Sequence, residues 1–124
     1  RISNGGFASS SGWTINNAAW QITGGIARTI EGAGGSDLRR AFTPIMSGKT
    51  VTVAFDCVGN TLDQVITVEL TLSGTVVQEI YNNTPPSGGP VDIGAVAQSI
   101  ADGIRFAAPN DAGVTTIDNV SLIA

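Results

Sequence analysis

Thr115-Thr116-Ile117-Asp118-Asn119-Val120-Ser121-Leu122-Ile123 reads as a β-strand whose apolar beat is broken once, by two polar residues. Val120 and Leu122 share one parity and Ile117 has the other, so strict alternation cannot bury all three. A bulge at Asp118-Asn119 repairs this, because a bulge inserts a residue and re-aims the side chains beyond it. The stretch therefore predicts a strand that closes a sheet and holds a carboxylate at a kink.

Upstream, Gly103 to Ala107 reads as a strand and Pro109 to Gly113 as the turn that follows it. The clearest strand runs from Lys49 to Val58: Val51, Val53, Phe55 and Cys57 point one way, and Thr50, Thr52, Ala54 and Asp56 the other. Gly59-Asn60 turns it. Val65 to Leu72 is a second clear strand, with Ile66, Val68, Leu70 and Leu72 inward. Ser73-Gly74 then joins it to Thr75–Tyr81 as a hairpin. A two-residue loop sets Glu69 opposite Gln78. A three-residue loop sets it opposite Glu79, a like-charge pair that is unfavourable without a cation, so the first register is expected.

The proline-rich stretch Asn82–Pro90 predicts an exposed loop, since proline offers no ladder donor. Val91–Val96 is a weaker strand, and Ala95–Ile100 has the pattern of one helical turn. In the first third, Trp13–Ile15, Trp20–Ile22, Ile26–Ile30 and Asp37–Phe42 are strands between glycine- and serine-rich turns, and Thr43–Gly48 is a loop. Leu38, Arg40 and Phe42 share a face. An arginine so placed sits at a rim or pairs with a carboxylate, because a lone buried charge is costly. About ten short strands without a confident helix predict an all-β protein, a two-sheet β-sandwich formed by residues 1–124 as one domain.

The bulk properties narrow the function. The 124 residues carry a net charge of -4, and the six basic residues form no nucleic-acid patch. No apolar run approaches the ~20 residues that span a bilayer, so no membrane insertion is expected. The chain opens at Arg1 without a segment that reads as a signal peptide, which suits a processed product or an excised domain. Without histidine there is no Ser-His-Asp or Cys-His catalysis. The single cysteine, Cys57, makes no internal disulfide and reads as a small buried hydrophobe.

Several motifs dissolve on inspection. Gly48-Lys49-Thr50 ends like a P-loop, but Thr43 stands where that motif needs glycine, and a strand follows instead of a helix. Asn82-Asn83-Thr84 and Asn119-Val120-Ser121 fit the glycosylation pattern, which is frequent by chance. Glu69 and Glu79 lie on strands with no catalytic motif around them. No catalytic residue is assigned, and the protein is not expected to be an enzyme.

Read together, Asn4-Gly5-Gly6-Phe7, Gly12-Trp13-Thr14, Trp20-Gln21-Ile22, Gly24-Gly25-Ile26-Ala27, Leu38, Phe42, Gly48–Val53, Ile104-Arg105-Phe106 and Ile117–Leu122 fall in a familiar order. The chain resembles the jelly-roll carbohydrate-binding modules of families four, nine and twenty-two. It also resembles their galactose-binding-domain-like relatives in bacteriophage structural proteins. The resemblance implies jelly-roll topology and buried Trp13 and Trp20. It also implies a structural calcium where the chain ends meet, with Asp118 as a ligand. Ala8 departs from that pattern, since an acid stands at its place in the family, and the calcium is thereby in doubt.

The expected function is a non-catalytic module that recognises surface glycan, displayed on a secreted protein or phage virion. The alternative is a structural or decoration module of a phage particle, in contact with other virion chains. Tyr81 is the candidate stacking ring, with Arg28 and Arg40 as planar donors beside it. The outward row of Thr50, Thr52, Asp56, Thr67, Glu69 and Thr71 could bond sugar hydroxyls and equally suits a solvated face. The location that follows is extracellular or on the virion surface.

Overall fold

A computed structural model of the chain describes residues 5–9, 11–16, 20–29, 36–108 and 113–124. The predicted turn at 109–113 lies, except for Gly113, outside them. Ten antiparallel strands form two five-stranded sheets with no helix among the described residues. They are β1 (Trp13–Asn16), β2 (Trp20–Thr23), β3 (Ile26–Thr29), β4 (Ser36–Ile45), β5 (Thr50–Asn60), β6 (Ile66–Leu72), β7 (Thr75–Asn83), β8 (Gly89–Val96), β9 (Ala101–Ala108) and β10 (Thr115–Ile123). One sheet has the order β1-β4-β9-β6-β7 and the other β2-β3-β10-β5-β8. The chain crosses repeatedly between the layers, and the two inner faces make one core. This is the all-β sandwich expected of a jelly roll.

The bulge in β10 is present. Asp118 lies opposite Asp56 and Ser121 opposite Ala54, so Asn119 and Val120 together face Phe55 alone. Asn119 takes a left-handed conformation, φ 53°, which asparagine tolerates better than most residues. Ile117, Val120 and Leu122 are consequently all buried. A second irregularity, between Thr116 and Ile117, leaves Val58 of β5 unpaired and exposed. The N-terminal segment docks at the first bulge, where Val120 N–H donates to the Gly5 carbonyl at 3.0 Å.

Val51, Val53, Phe55 and Cys57 line the core as their parity requires, and Trp13 and Trp20 are only 7% and 2% exposed. The rings form a chain through the interior. Phe7 lies 4.8 Å from Trp13, Trp13 lies 6.4 Å from Phe106, and Phe55 meets Phe106 edge-on at 5.5 Å. Each such pair adds about 0.5–1.5 kcal/mol beyond its buried area.

Four expectations need correction. The Ser73-Gly74 turn has the two residues predicted, and both have positive φ, as a tight hairpin needs. An irregularity between Thr71 and Leu70 then shifts β7 against β6, so that Leu70 faces Gln78 and Glu69 faces Glu79, and a second follows between Glu69 and Val68. The like-charge pair is tolerated because Arg105 of β9 pairs with Glu69. Secondly, β4 runs through Pro44 to Ile45, with the proline at a register irregularity. Thirdly, β7 continues to Asn83 and β8 starts at Gly89, which shortens the predicted loop at both ends. Finally, residues 97–100 make no helical turn; Ala97 is buried and its N–H donates to the Lys49 carbonyl at 2.9 Å.

Candidate functional site

The outer face of the β1-β4-β9-β6-β7 sheet carries a charged row across its strands. Antiparallel register sets Thr14 beside Arg39, Arg39 beside Arg105, Arg105 beside Glu69 and Glu69 beside Glu79. Residues directly opposite on neighbouring strands share a face, so these side chains are neighbours from edge to edge. Asp37, two residues before Arg39 on β4, shares that face and stands between the two arginines.

The row is held by charge-assisted hydrogen bonds. Arg39 Nε donates to Asp37 Oδ1 at 2.8 Å and its Nη2 to Oδ2 at 3.3 Å. Arg105 Nε donates to the same Oδ2 at 2.9 Å, and its Nη1 to Glu69 Oε1. Arg39 also reaches the β6–β7 hairpin, where its Nη1 donates to the Gly74 carbonyl at 2.5 Å. The carboxylates lie beneath the guanidiniums: Asp37 and Glu69 side chains are 8% and 13% exposed, Arg39 and Arg105 26% and 24%. Burial by itself would push the Asp37 carboxyl up, but the hydrogen bonds from Arg39 and Arg105 outweigh it and hold the group below the usual carboxylate range. Burial likewise disfavours the charged Arg105, and Asp37 and Glu69 more than restore it.

A cavity of about 260 Å³ opens beside the row, lined among others by Thr14, Arg39, Ala41, Thr71, Asp102 and Gly103. Small residues make its floor. A Cβ on Gly103 would run into Thr71 Oγ1 and come within 3.2 Å of the Arg40 carbonyl. Asp102 stands at the end of the cavity, where its Oδ1 accepts the Ser73 N–H at 3.0 Å. Donors and acceptors thus surround a depression about the size of one sugar ring.

The face presents no aromatic ring. All seven of the chain's aromatic residues are in the core or packed against it. Tyr81, the expected stacking ring, is partly buried and meets Phe55 edge-on at 6.2 Å. Its hydroxyl pKa is raised, by burial first and by the nearby Cys57 second. Arg28 lies on the outer face of the other sheet and binds Gln21 Oε1 through Nε and Nη2 at 3.3 and 3.2 Å. Arg40 donates to the Ser11 carbonyl at 2.9 Å and lies 5.7 Å from the Trp13 ring centre. Tyr81, Arg28 and Arg40 are therefore not brought together. The predicted outward row also divides: Thr50, Thr52 and Asp56 lie on one sheet, and Thr67, Glu69 and Thr71 on the other. Sequence reading missed Asp37, Arg39 and Arg105, although all three occupy outward parities.

At Asp118 part of the oxygen set that a calcium ion would need is already engaged. Its Oδ1 accepts the Asn119 N–H at 2.8 Å. Asp56 opposite accepts the Asn119 side-chain amide at 2.8 Å. Among the described residues no three acidic or thiol groups converge on any one point.

No protein-family model and no curated protein matches the chain. Solved structures do. A chitosan-binding module from a chitosanase/glucanase of Paenibacillus sp. IK-5 superposes with a TM-score of 0.62 at 16% identity, over 96% of this chain and 98% of that one. A carbohydrate-binding module of family 4 gives 0.65 at 13% identity, over 98% of each chain. The enzymatically active domain of tailspike protein 4 of bacteriophage CBA120 gives 0.67 at 14% identity, over 98% of this chain but 21% of that one. At such identities the likeness is one of fold: this chain is a jelly roll built like the carbohydrate-binding modules.

Proposed function

We propose that the protein is a non-catalytic module that binds glycan on the outer face of its β1-β4-β9-β6-β7 sheet. The observation that carries this reading is the row Arg39–Arg105–Glu69, braced by Asp37 and opening into the cavity over Gly103 and Ala41. Sugar hydroxyls both donate and accept, and they need fixed partners of both kinds within one ring's reach. Here the partners are immobilised before any ligand arrives, so little side-chain entropy remains to be lost on binding. With no exposed ring to stack on, the module holds its ligand by hydrogen bonds and binds weakly. The chitosan-binding and family 4 neighbours support the class of ligand. The setting that follows is extracellular, on a secreted protein or a virion.

A second reading rests on the tailspike neighbour, in which a similar domain occupies 21% of a longer phage chain. A module in that setting would contact other virion chains and position them. Titration of the wild-type protein and two variants with neutral oligosaccharides decides between the readings. Ala41→Leu fills the cavity from an exposed position and leaves every residue of the charged row unchanged, and Arg28→Ala removes a cation from the opposite sheet. The glycan reading predicts binding that Ala41→Leu weakens at least about tenfold, roughly the cost of one lost bonding partner, and that Arg28→Ala leaves unchanged. No binding to any oligosaccharide, with stable association to a virion protein, favours the second reading.

A further inference from the structure

We infer that this face selects glycans that carry free amino groups over neutral and acidic ones, an inference that rests on the glycan-binding reading above. It comes from what the row leaves unspent. Arg39 commits all three of its nitrogens, to Asp37 and the Gly74 carbonyl. Arg105 commits Nε and Nη1, leaving Nη2 as the spare donor. The spare acceptors are more numerous. Glu69 uses Oε1 alone, Asp102 uses Oδ1 alone, and the exposed Glu79 makes no hydrogen bond or ion pair among the described residues.

The charges point the same way. Asp37, Glu69, Glu79 and Asp102 face three guanidiniums, those of Arg39, Arg105 and Arg40, and one negative charge is left over. Of the three, Arg40 borders the cavity with its guanidinium held by the Ser11 carbonyl and the Trp13 ring. The carboxylates that make no ion pair among the described residues stand at the two ends of the site, Asp102 at the cavity and Glu79 on the edge strand. Glu79 and Glu69 oppose each other in register, and the one cation paired with them, Arg105, lies on the far side of Glu69 from Glu79. An ammonium group is a pure donor and positively charged, so it satisfies spare carboxylate oxygens on both counts. A sulfate or uronate would meet like charge, on a chain whose net charge is -4. A neutral sugar would keep its hydrogen bonds without the added attraction.

The test is calorimetric titration with oligomers of glucosamine, N-acetylglucosamine, galacturonate and glucose, matched in length, at mildly acidic pH and low salt. The glucosamine oligomer is expected to bind about tenfold tighter than its N-acetylated counterpart, the effect of two solvent-exposed ion pairs. That preference should vanish in high salt. It should also vanish in a Glu79→Gln/Asp102→Asn variant, read as the ratio of that variant's affinities for the two oligomers. Equal or tighter binding of the N-acetylated, glucose or galacturonate oligomer overturns the amino-sugar preference and leaves glycan binding standing. Binding of none of the four takes down both.

Discussion

Asp37 offers the sharpest perturbation of the charged row. Its carboxylate accepts three guanidinium hydrogen bonds, at 2.8, 3.3 and 2.9 Å, and its side chain is 8% exposed. Asp37→Asn removes the charge and turns an amide donor toward two cations. Hydrogen bonds to charged groups are worth about 1.5–3 kcal/mol each, which sets a ceiling of several kcal/mol. The real loss is smaller, because both arginines are about a quarter exposed and water can take over part of their bonding. Arg39 also keeps the Gly74 carbonyl and Arg105 keeps Glu69. We expect a loss of about 2–3 kcal/mol, or roughly 10 °C in melting temperature for a domain of this size. The effect depends on pH with a definite sign. A carboxyl held below its ordinary value of 3.8 contributes stability that is fully present above that value and is lost as pH falls through the lowered one. Urea denaturation followed by circular dichroism from neutral pH downward tests this. The wild type should lose stability more steeply than the variant below about pH 4, and the two curves should converge. A difference under about 0.5 kcal/mol at neutral pH, within the range of ordinary surface substitutions, or parallel acid limbs, would refute the reasoning.

Trp13→Ala should cost about 3–5 kcal/mol, since it empties the centre of the ring chain between Phe7 and Phe106; native fluorescence readily quenched by iodide would contradict the burial of both indoles. Gly103→Ala should destabilise by about 1–3 kcal/mol as an overpacking change against Thr71, read by the same urea titration; an unchanged midpoint would show the cavity floor to be loose. Calcium at millimolar concentration should leave the melting temperature where chelator leaves it, because Asp118 Oδ1 is taken by the Asn119 amide; a large upward shift that Asp118→Ala abolishes would make Asp118 a ligand.

The fold was legible wherever a single strand carries its own information. The parity break between Ile117 and Val120 announced the bulge in β10, and the alternation of Val51, Val53, Phe55 and Cys57 announced the core face of β5. The register of β7 was not legible. Its two irregularities follow from neighbours in space, and the cation that tolerates Glu69 opposite Glu79 comes from β9, more than thirty residues away in sequence. The site was hidden for the same reason. Asp37, Arg39, Arg105 and Glu69 occupy outward parities, yet nothing local says that β4, β9 and β6 lie side by side. The setting of Tyr81 was not legible either, because β7 continues to Asn83 into the stretch expected to be a loop. Tyr81 therefore lies within a strand, against Phe55, rather than at the lip of a loop.

Chemical-shift mapping of the labelled protein with a panel of neutral and amino-sugar oligomers tests the central claim most directly. The account predicts that a binding oligomer moves the amide signals of Thr14, Arg39, Ala41, Glu69, Gly103 and Arg105 together. The signals of Arg28, Thr52, Asp92 and Ser121, on the opposite sheet, should stay still. Shifts confined to that opposite sheet, or a panel in which no oligomer moves either group, would contradict it.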